Sequence, residues 1–200
     1  MKVLITGFNA FGSVRENPAE YVIARLRELG SQRRVVKARY EVLDVCYAWA
    51  EKRVREIITD EQPDLVVMVG VAAERNVVSL EQVAVNWDDA ACADNSGEVR
   101  RGREILPGGA PRYRSVLPIE QCAVRLSEQH FKVAVSEDAG SFVCNHVYYC
   151  ALDQLRMMGR EMRCVFVHVP MPGKGMTQEG IVSTVAGFVE ELVSAVREGG

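Results

Sequence analysis

Asp138-Ala139-Gly140-Ser141-Phe142-Val143-Cys144-Asn145-His146 joins two stretches of different periodicity. Lys132-Val133-Ala134-Val135-Ser136 before it reads as a strand. Val147 to Met158 after it reads as a helix, with Gly159 placed to stop it. Cys144 therefore falls where a strand ends and a helix begins. Free backbone N–H groups and the helix dipole favour negative charge there. A thiol in that position is expected to lose its proton more easily, and the thiolate is the nucleophile. The same N–H groups suit the oxyanion of a tetrahedral intermediate. A buried cysteine acting as a small apolar residue is the competing reading, and this stretch alone does not separate the two.

Working outward, the same alternation recurs. Val3-Leu4-Ile5-Thr6 is a buried-strand run, broken by Gly7-Phe8-Asn9-Ala10-Phe11-Gly12. Asn17-Pro18-Ala19-Glu20 opens a helix with a cap, a first-turn proline and a carboxylate that reaches back. Val22, Leu26 and Leu29 follow at helical spacing, with Gly30 as the expected end. Val35 to Val45 reads as a strand. Tyr47 to Ile58 reads as a helix with Trp49, Val54 and Ile58 on its apolar side. Asp64 to Val69 reads as a strand closed by Gly70.

This order predicts an α/β fold, a three-layer α/β/α arrangement around a mixed, largely parallel sheet, in one domain over residues 1–200. Sites in such sheets collect at the carboxyl ends of strands. The Phe8–Phe11 loop and the segment after Gly70 lie at such ends.

Further on, Val77 to Asn86 is apolar apart from few polar residues, and Glu81 is its lone acid. An ordinary edge-strand carboxylate is the alternative reading of Glu81. Asp94-Asn95-Ser96-Gly97 is a turn, and the chain from there to Pro111 reads as a long surface excursion. Pro118-Ile119-Glu120 opens a helix with Cys122, Val124 and Leu126 inward. Arg163 to Pro170 is a buried strand with His168 near its end. A last helix from about Gln178 to Arg197 carries Ile181, Val185, Phe188, Val189, Leu192 and Val196 on one stripe.

A chain of 200 residues buries a core without staples. Its net charge of −3, with no strongly basic block, argues against a nucleic-acid partner. No apolar stretch reaches membrane-span length, and the N-terminus lacks signal-peptide features. The six cysteines form no C-x-x-C pair, so zinc and redox motifs are not indicated, and free thiols in a cytoplasmic protein are the simplest account.

Only three histidines are available as a partner for Cys144. His130 ends a helix pattern and is expected at the surface. His146 is two residues beyond Cys144, and residues two apart on a helix do not face each other. His168 lies at the sheet end where Cys144 is expected, although a satisfied core histidine reads the same way. A Cys–His pair with a carboxylate orienting the imidazole is an established route to an activated thiol, and Glu81 is the best candidate acid.

The chain resembles the pyroglutamyl peptidase (pyrrolidone carboxyl peptidase) family of cysteine peptidases. The resemblance rests on Thr6 to Gly12 with Asn17-Pro18, Glu81 to Asn86, Ala139 to Asn145, and Phe166 to Pro170, joined by Asp94-Asn95 and Gly97. It implies Cys144 as nucleophile, His168 as base and then acid, and Glu81 as the orienting carboxylate. It also implies removal of N-terminal pyroglutamyl residues from peptides, no metal or organic cofactor, and a homo-oligomer, commonly a homotetramer. Phe8, Phe11 and Phe142 match the family's aromatic positions and are expected to wall the substrate pocket.

The chain departs from the family pattern at Ala10, Glu74, Gln82 and Ala91, where proline, glycine, arginine and arginine are usual. The region after Pro172 is also shorter than usual. These departures leave two competing readings, a catalytically silent binding protein on the same fold and an α/β hydrolase acting on another acyl group.

Overall fold

A computed structural model describes residues 1–12, 16–33 and 37–198. Its elements, in chain order, are β1 (Lys2–Phe8), α1 (Pro18–Arg33), β2 (Lys37–Leu43), α2 (Tyr47–Glu61), β3 (Leu65–Val71), β4 (Val78–Glu81), β5 (Val83–Val85) and β6 (Arg112–Arg114). Then follow α3 (Ile119–Glu128), β7 (Val133–Ser136), α4 (Val143–Met157), β8 (Cys164–Val169) and α5 (Gln178–Glu198). Six strands form the central sheet in the order β2-β1-β3-β8-β4-β7, and β5 pairs with β6 in a separate ribbon.

β2, β1, β3 and β8 run parallel. β4 joins β8 antiparallel, and β7 runs parallel to β4. The central strands β3 and β8 are apolar along nearly their whole length because both their faces are covered. One core packs α1, α3 and α5 on the sheet, with Val22, Leu126, Val185 and Phe188 among its buried members. The other packs α2 and α4 on the opposite face, around Val54, Ile58, Val147, Leu152 and Phe166. The fold is the expected mixed, largely parallel α/β sandwich.

Several local expectations shift. Gly30 does not end α1, which continues to Arg33. A Cβ at Gly30 would lie 2.6 Å from the hydroxyl of Tyr40, which donates to the Leu26 carbonyl. The glycine therefore makes room for β2 and does not stop the helix. Trp49 is not on the buried side of α2 and is 44% exposed; Tyr47, Ala50, Val54, Ile57 and Ile58 form that side. Val124 likewise faces outward from α3, while Cys122 and Leu126 are buried. Val35 and Val36, at the expected start of β2, lie outside the described residues. Gly159 meets its expectation, taking φ +65° just beyond α4, a conformation that a side chain disfavours.

Candidate active site

The strand register brings the candidate residues to one face of the sheet. His168 stands beside Gly70 of β3 and Ser79 of β4, and Glu81 stands beside Phe166, two residues before His168. Side chains two apart on a strand share a face, so Phe166, His168 and Glu81 point together toward α4. His168 Nδ1 lies 2.8 Å from Glu81 Oε1. A carboxylate accepts, so Nδ1 carries the hydrogen and Nε2 is the ring nitrogen that faces other partners. Glu81 is fully buried and His168 is 4% exposed, which removes the edge-carboxylate reading of Glu81. Arg75, from the β3–β4 connection, contacts the same Glu81 oxygen at 2.7 Å and donates to the Asp138 carbonyl.

Cys144 arrives from the other side of this cleft, on the first turn of α4. Gly70 creates the space for it: a Cβ there would lie 2.9 Å from Cys144 Sγ and 2.7 Å from the Phe166 ring. The helix is capped by Phe142, whose side chain has no oxygen to offer the first N–H groups. The first α-helical bond in this turn runs from His146 N to Phe142 O. The amides of Val143, Cys144 and Asn145 are thus the orphan donors of this turn, and that of Cys144 acts on its own sulfur. The thiol, imidazole and acid come to this cleft from α4, β8 and β4 in turn, the residue types of a cysteine hydrolase with an oriented base.

The family model for pyroglutamyl peptidase matches residues 1–199. The chain belongs to the pyroglutamyl peptidase family. A pyrrolidone-carboxylate peptidase of Thermosipho africanus is 31% identical over 98% of this chain and 96% of its own length. One from Bacillus subtilis is 34% identical over 84% of this chain and 78% of its own. A mutant pyrrolidone carboxyl peptidase from Pyrococcus furiosus superposes with a TM-score of 0.89 at 30% identity, covering 97% of this chain and 99% of that one.

In this family member the thiol does not rest as the sequence position suggests. Cys144 keeps part of its residue surface in reach of solvent, but Sγ lies against Gly70 and Phe166. Desolvation first, and then the Glu81 carboxylate, push the thiol up to about 12, against the opposing pull of its own backbone N–H. The helix start alone does not decide the protonation state of the resting sulfur.

The three expected aromatics divide. Phe11 and Phe142 are partly exposed and pack with ring centroids 5.1 Å apart, next to Tyr47. Phe8 is buried, 6.3 Å from Phe166, whose ring is 4.8 Å from that of His168. Phe8 thus packs behind the Phe166 ring, while Phe11 and Phe142 pack together at the start of α4.

Asn145 is a structural residue that the sequence reading passed over. It is fully buried; its amide donates to the carbonyls of Val85 and Trp87, and its oxygen accepts from Val85 N–H. It pins β5 to the turn that carries Cys144. An asparagine directly after Cys144, at a helix start, was the available signal. The excursion from Asn95 to Pro111 is likewise fastened, through Asn95 to Ala10 and Asp44, and through Leu106 to Asn86.

Of the other histidines, His130 is exposed in a left-handed conformation, as its helix-end position suggested. His146 is fully buried on the opposite flank of α4, its Nδ1 2.9 Å from Asp88 and its Nε2 3.3 Å from Glu51. Burial alone would lower it; Asp88, Cys150 and Glu51 outweigh that and raise it to about 11. Glu51 is correspondingly lowered to about 2, chiefly by its hydrogen bond to His146. At the divergent positions, Gln82 accepts a hydrogen bond from Arg114, and Ala91 is exposed.

Proposed function

We propose that this protein is a cysteine peptidase that removes N-terminal pyroglutamyl residues from peptides, with Cys144 as nucleophile, His168 as base and acid, and Glu81 as the orienting carboxylate. The observation that carries the reading is the Glu81–His168 contact, fully buried and facing the turn that holds Cys144. The attacking thiol transfers its proton to His168 Nε2 as Sγ bonds to the pyroglutamyl carbonyl carbon. The resulting oxyanion is held by N–H groups at the start of α4. Glu81 accepts from Nδ1–H throughout and stabilises the imidazolium. His168 then gives its proton to the leaving amine as the C–N bond breaks, leaving a thioester. Water, deprotonated by His168, attacks that thioester, and pyroglutamate leaves as the C–S bond breaks and the thiol regains its proton.

Pyroglutamate is a lactam without a basic amine, so its site needs apolar walls and a few polar groups for the lactam N–H and C=O. Phe8, Phe11 and Phe142 supply such walls in this reading. An open-chain N-terminal residue would carry an ammonium group into that apolar site, at an effective desolvation cost of several kcal/mol.

The cycle uses side chains, backbone N–H groups and water. The whole chain acts as one peptidase domain, and the protein works in the cytoplasm as a homo-oligomer, a tetramer by family likeness. No described helix is long and apolar enough to cross a membrane.

Hydrolysis of a pyroglutamyl-coumarin amide, against prolyl and alanyl analogues, tests the assignment. Turnover of the pyroglutamyl substrate alone, lost in both Cys144→Ser and Cys144→Ala, is the expected result. Undiminished activity in both variants would overturn the nucleophile. Absence of turnover in the parent protein would favour a silent binding protein.

A further inference from the structure

The flank of α4 that faces away from the catalytic cleft carries a second group of reactive side chains, unused by the peptidase cycle. His146 and Cys150 are four residues apart and so lie on one face of the helix. Glu51 comes across from α2 to meet them. One donor atom from each of the three lies within 4.8 Å of the other two, and His146 Nε2 is already 3.3 Å from Glu51 Oε2.

From these positions we propose that Glu51, His146 and Cys150 form a binding site for a zinc-like divalent transition ion. Ligand atoms around a tetrahedral zinc, with bonds of about 2.0–2.3 Å, are roughly 3–4 Å apart, so small side-chain adjustments close the site. Thiolate, imidazole and carboxylate together select a borderline ion such as zinc over magnesium or calcium, which prefer oxygen alone.

A second and independent feature is the support behind the histidine. Ligating histidines almost always give their other ring nitrogen to a carboxylate or carbonyl, which fixes the ring and its tautomer. Asp88 Oδ2 holds His146 Nδ1 at 2.9 Å, and Arg100 holds the same oxygen at 3.1 Å. Nε2 is thereby turned toward Glu51. His146 and Cys150 are buried, while the Glu51 side chain remains 34% exposed. Arg55 Nε holds Glu51 Oε1 at 3.1 Å, which leaves Oε2 as the oxygen turned to His146. Binding displaces the proton on Nε2 and the thiol proton to solvent as the two metal bonds form. The bound ion links α2 to α4, the helix whose first turn carries Cys144.

Cobalt(II) titration of the full-length Cys92→Ser/Cys144→Ala protein tests this, because that background removes the exposed thiol and the nucleophile. The expected result is one cobalt per chain with a thiolate-to-cobalt charge-transfer band, abolished by adding Cys150→Ser with circular dichroism unchanged. No band, or a band that survives Cys150→Ser, would overturn the site. Glu51 is partly exposed, so Glu51→Gln provides a variant that keeps the fold. Zinc affinity measured against a chromophoric chelator should weaken roughly tenfold or more in it, and equal affinity would also overturn the proposal.

Discussion

Adding one methyl group at Gly70 should disable catalysis without altering any residue that carries it out. Gly70 has no left-handed backbone angle, so alanine meets no conformational barrier there, only a lack of space. The new Cβ would lie 2.9 Å from Cys144 Sγ, whereas ordinary contact begins at 3.4 Å. The sulfur must retreat by about half an ångström, and the Phe166 ring, at 2.7 Å, by somewhat more. A displacement of about 1 Å in a reacting group costs about a hundredfold in rate, so Gly70→Ala should lower kcat/KM roughly 10- to 100-fold. Overpacking of this kind also costs about 1–3 kcal/mol of stability.

Hydrolysis of the pyroglutamyl-coumarin amide, measured beside urea unfolding of the same sample, separates the two effects. Phe166→Leu in the Gly70→Ala background relieves the ring contact but not the sulfur contact. It should recover stability more than activity. Parental kcat/KM and parental stability in Gly70→Ala would refute the packing argument, because the methyl meets both Phe166 and Cys144 inside 3.0 Å.

Glu81→Gln keeps the shape but removes the charge that stabilises the imidazolium, so kcat should fall on the order of 10²- to 10⁴-fold with little change in KM; an unaltered kcat would remove Glu81 from its role. The raised thiol of Cys144 has a direct signature. A group lifted to about 12 stays protonated through the neutral range, so the rate of alkylation by iodoacetamide should climb with pH from neutral into the alkaline range without a plateau. A plateau below neutral would show a pre-formed thiolate and contradict the burial argument. Asn145→Ala deprives Val85 N–H and the carbonyls of Val85 and Trp87 of their partners and should cost about 1–3 kcal/mol or more. Its urea midpoint measures this, and an unshifted midpoint would mean that the amide does not pin β5 to α4.

What was legible in the chain was local or periodic. Buried-strand runs and helical stripes are written into the spacing of Val, Ile and Leu, and they specify the layers. Lone polar residues in apolar runs, Glu81 and His168, stood out as candidates for the same reason: a buried charge or imidazole needs a partner, and the two are each other's partner. The misreadings have physical causes. Gly30 looked like a helix stop, but its role depends on Tyr40, which arrives from the next strand. His146 was set aside as the partner of Cys144 because residues two apart on a helix do not face each other. Its own surroundings, Asp88, Glu51 and Arg100, come from separated parts of the chain, and no window of sequence joins them. The thiol was expected to be acidified because a helix start is a local feature. Its desolvation and its carboxylate neighbour are tertiary, and they outweigh it.

That reversal bears on how the site works. A thiolate formed in advance would stand in an apolar cleft close to the buried Glu81 carboxylate, with desolvation and repulsion both opposing it. Keeping the proton on sulfur until substrate arrives avoids both penalties. In the proposed cycle, once the carbonyl is in place the proton moves to an imidazole already held by Glu81, and the negative charge passes from sulfur to an oxygen at the start of α4. Each charge then appears beside a group positioned to stabilise it, imidazolium against carboxylate and oxyanion against free N–H. The low dielectric that opposes the isolated thiolate strengthens both of these contacts. Burial therefore favours the charge distribution of the transition state over that of a resting ion pair, which is the differential stabilisation that raises kcat.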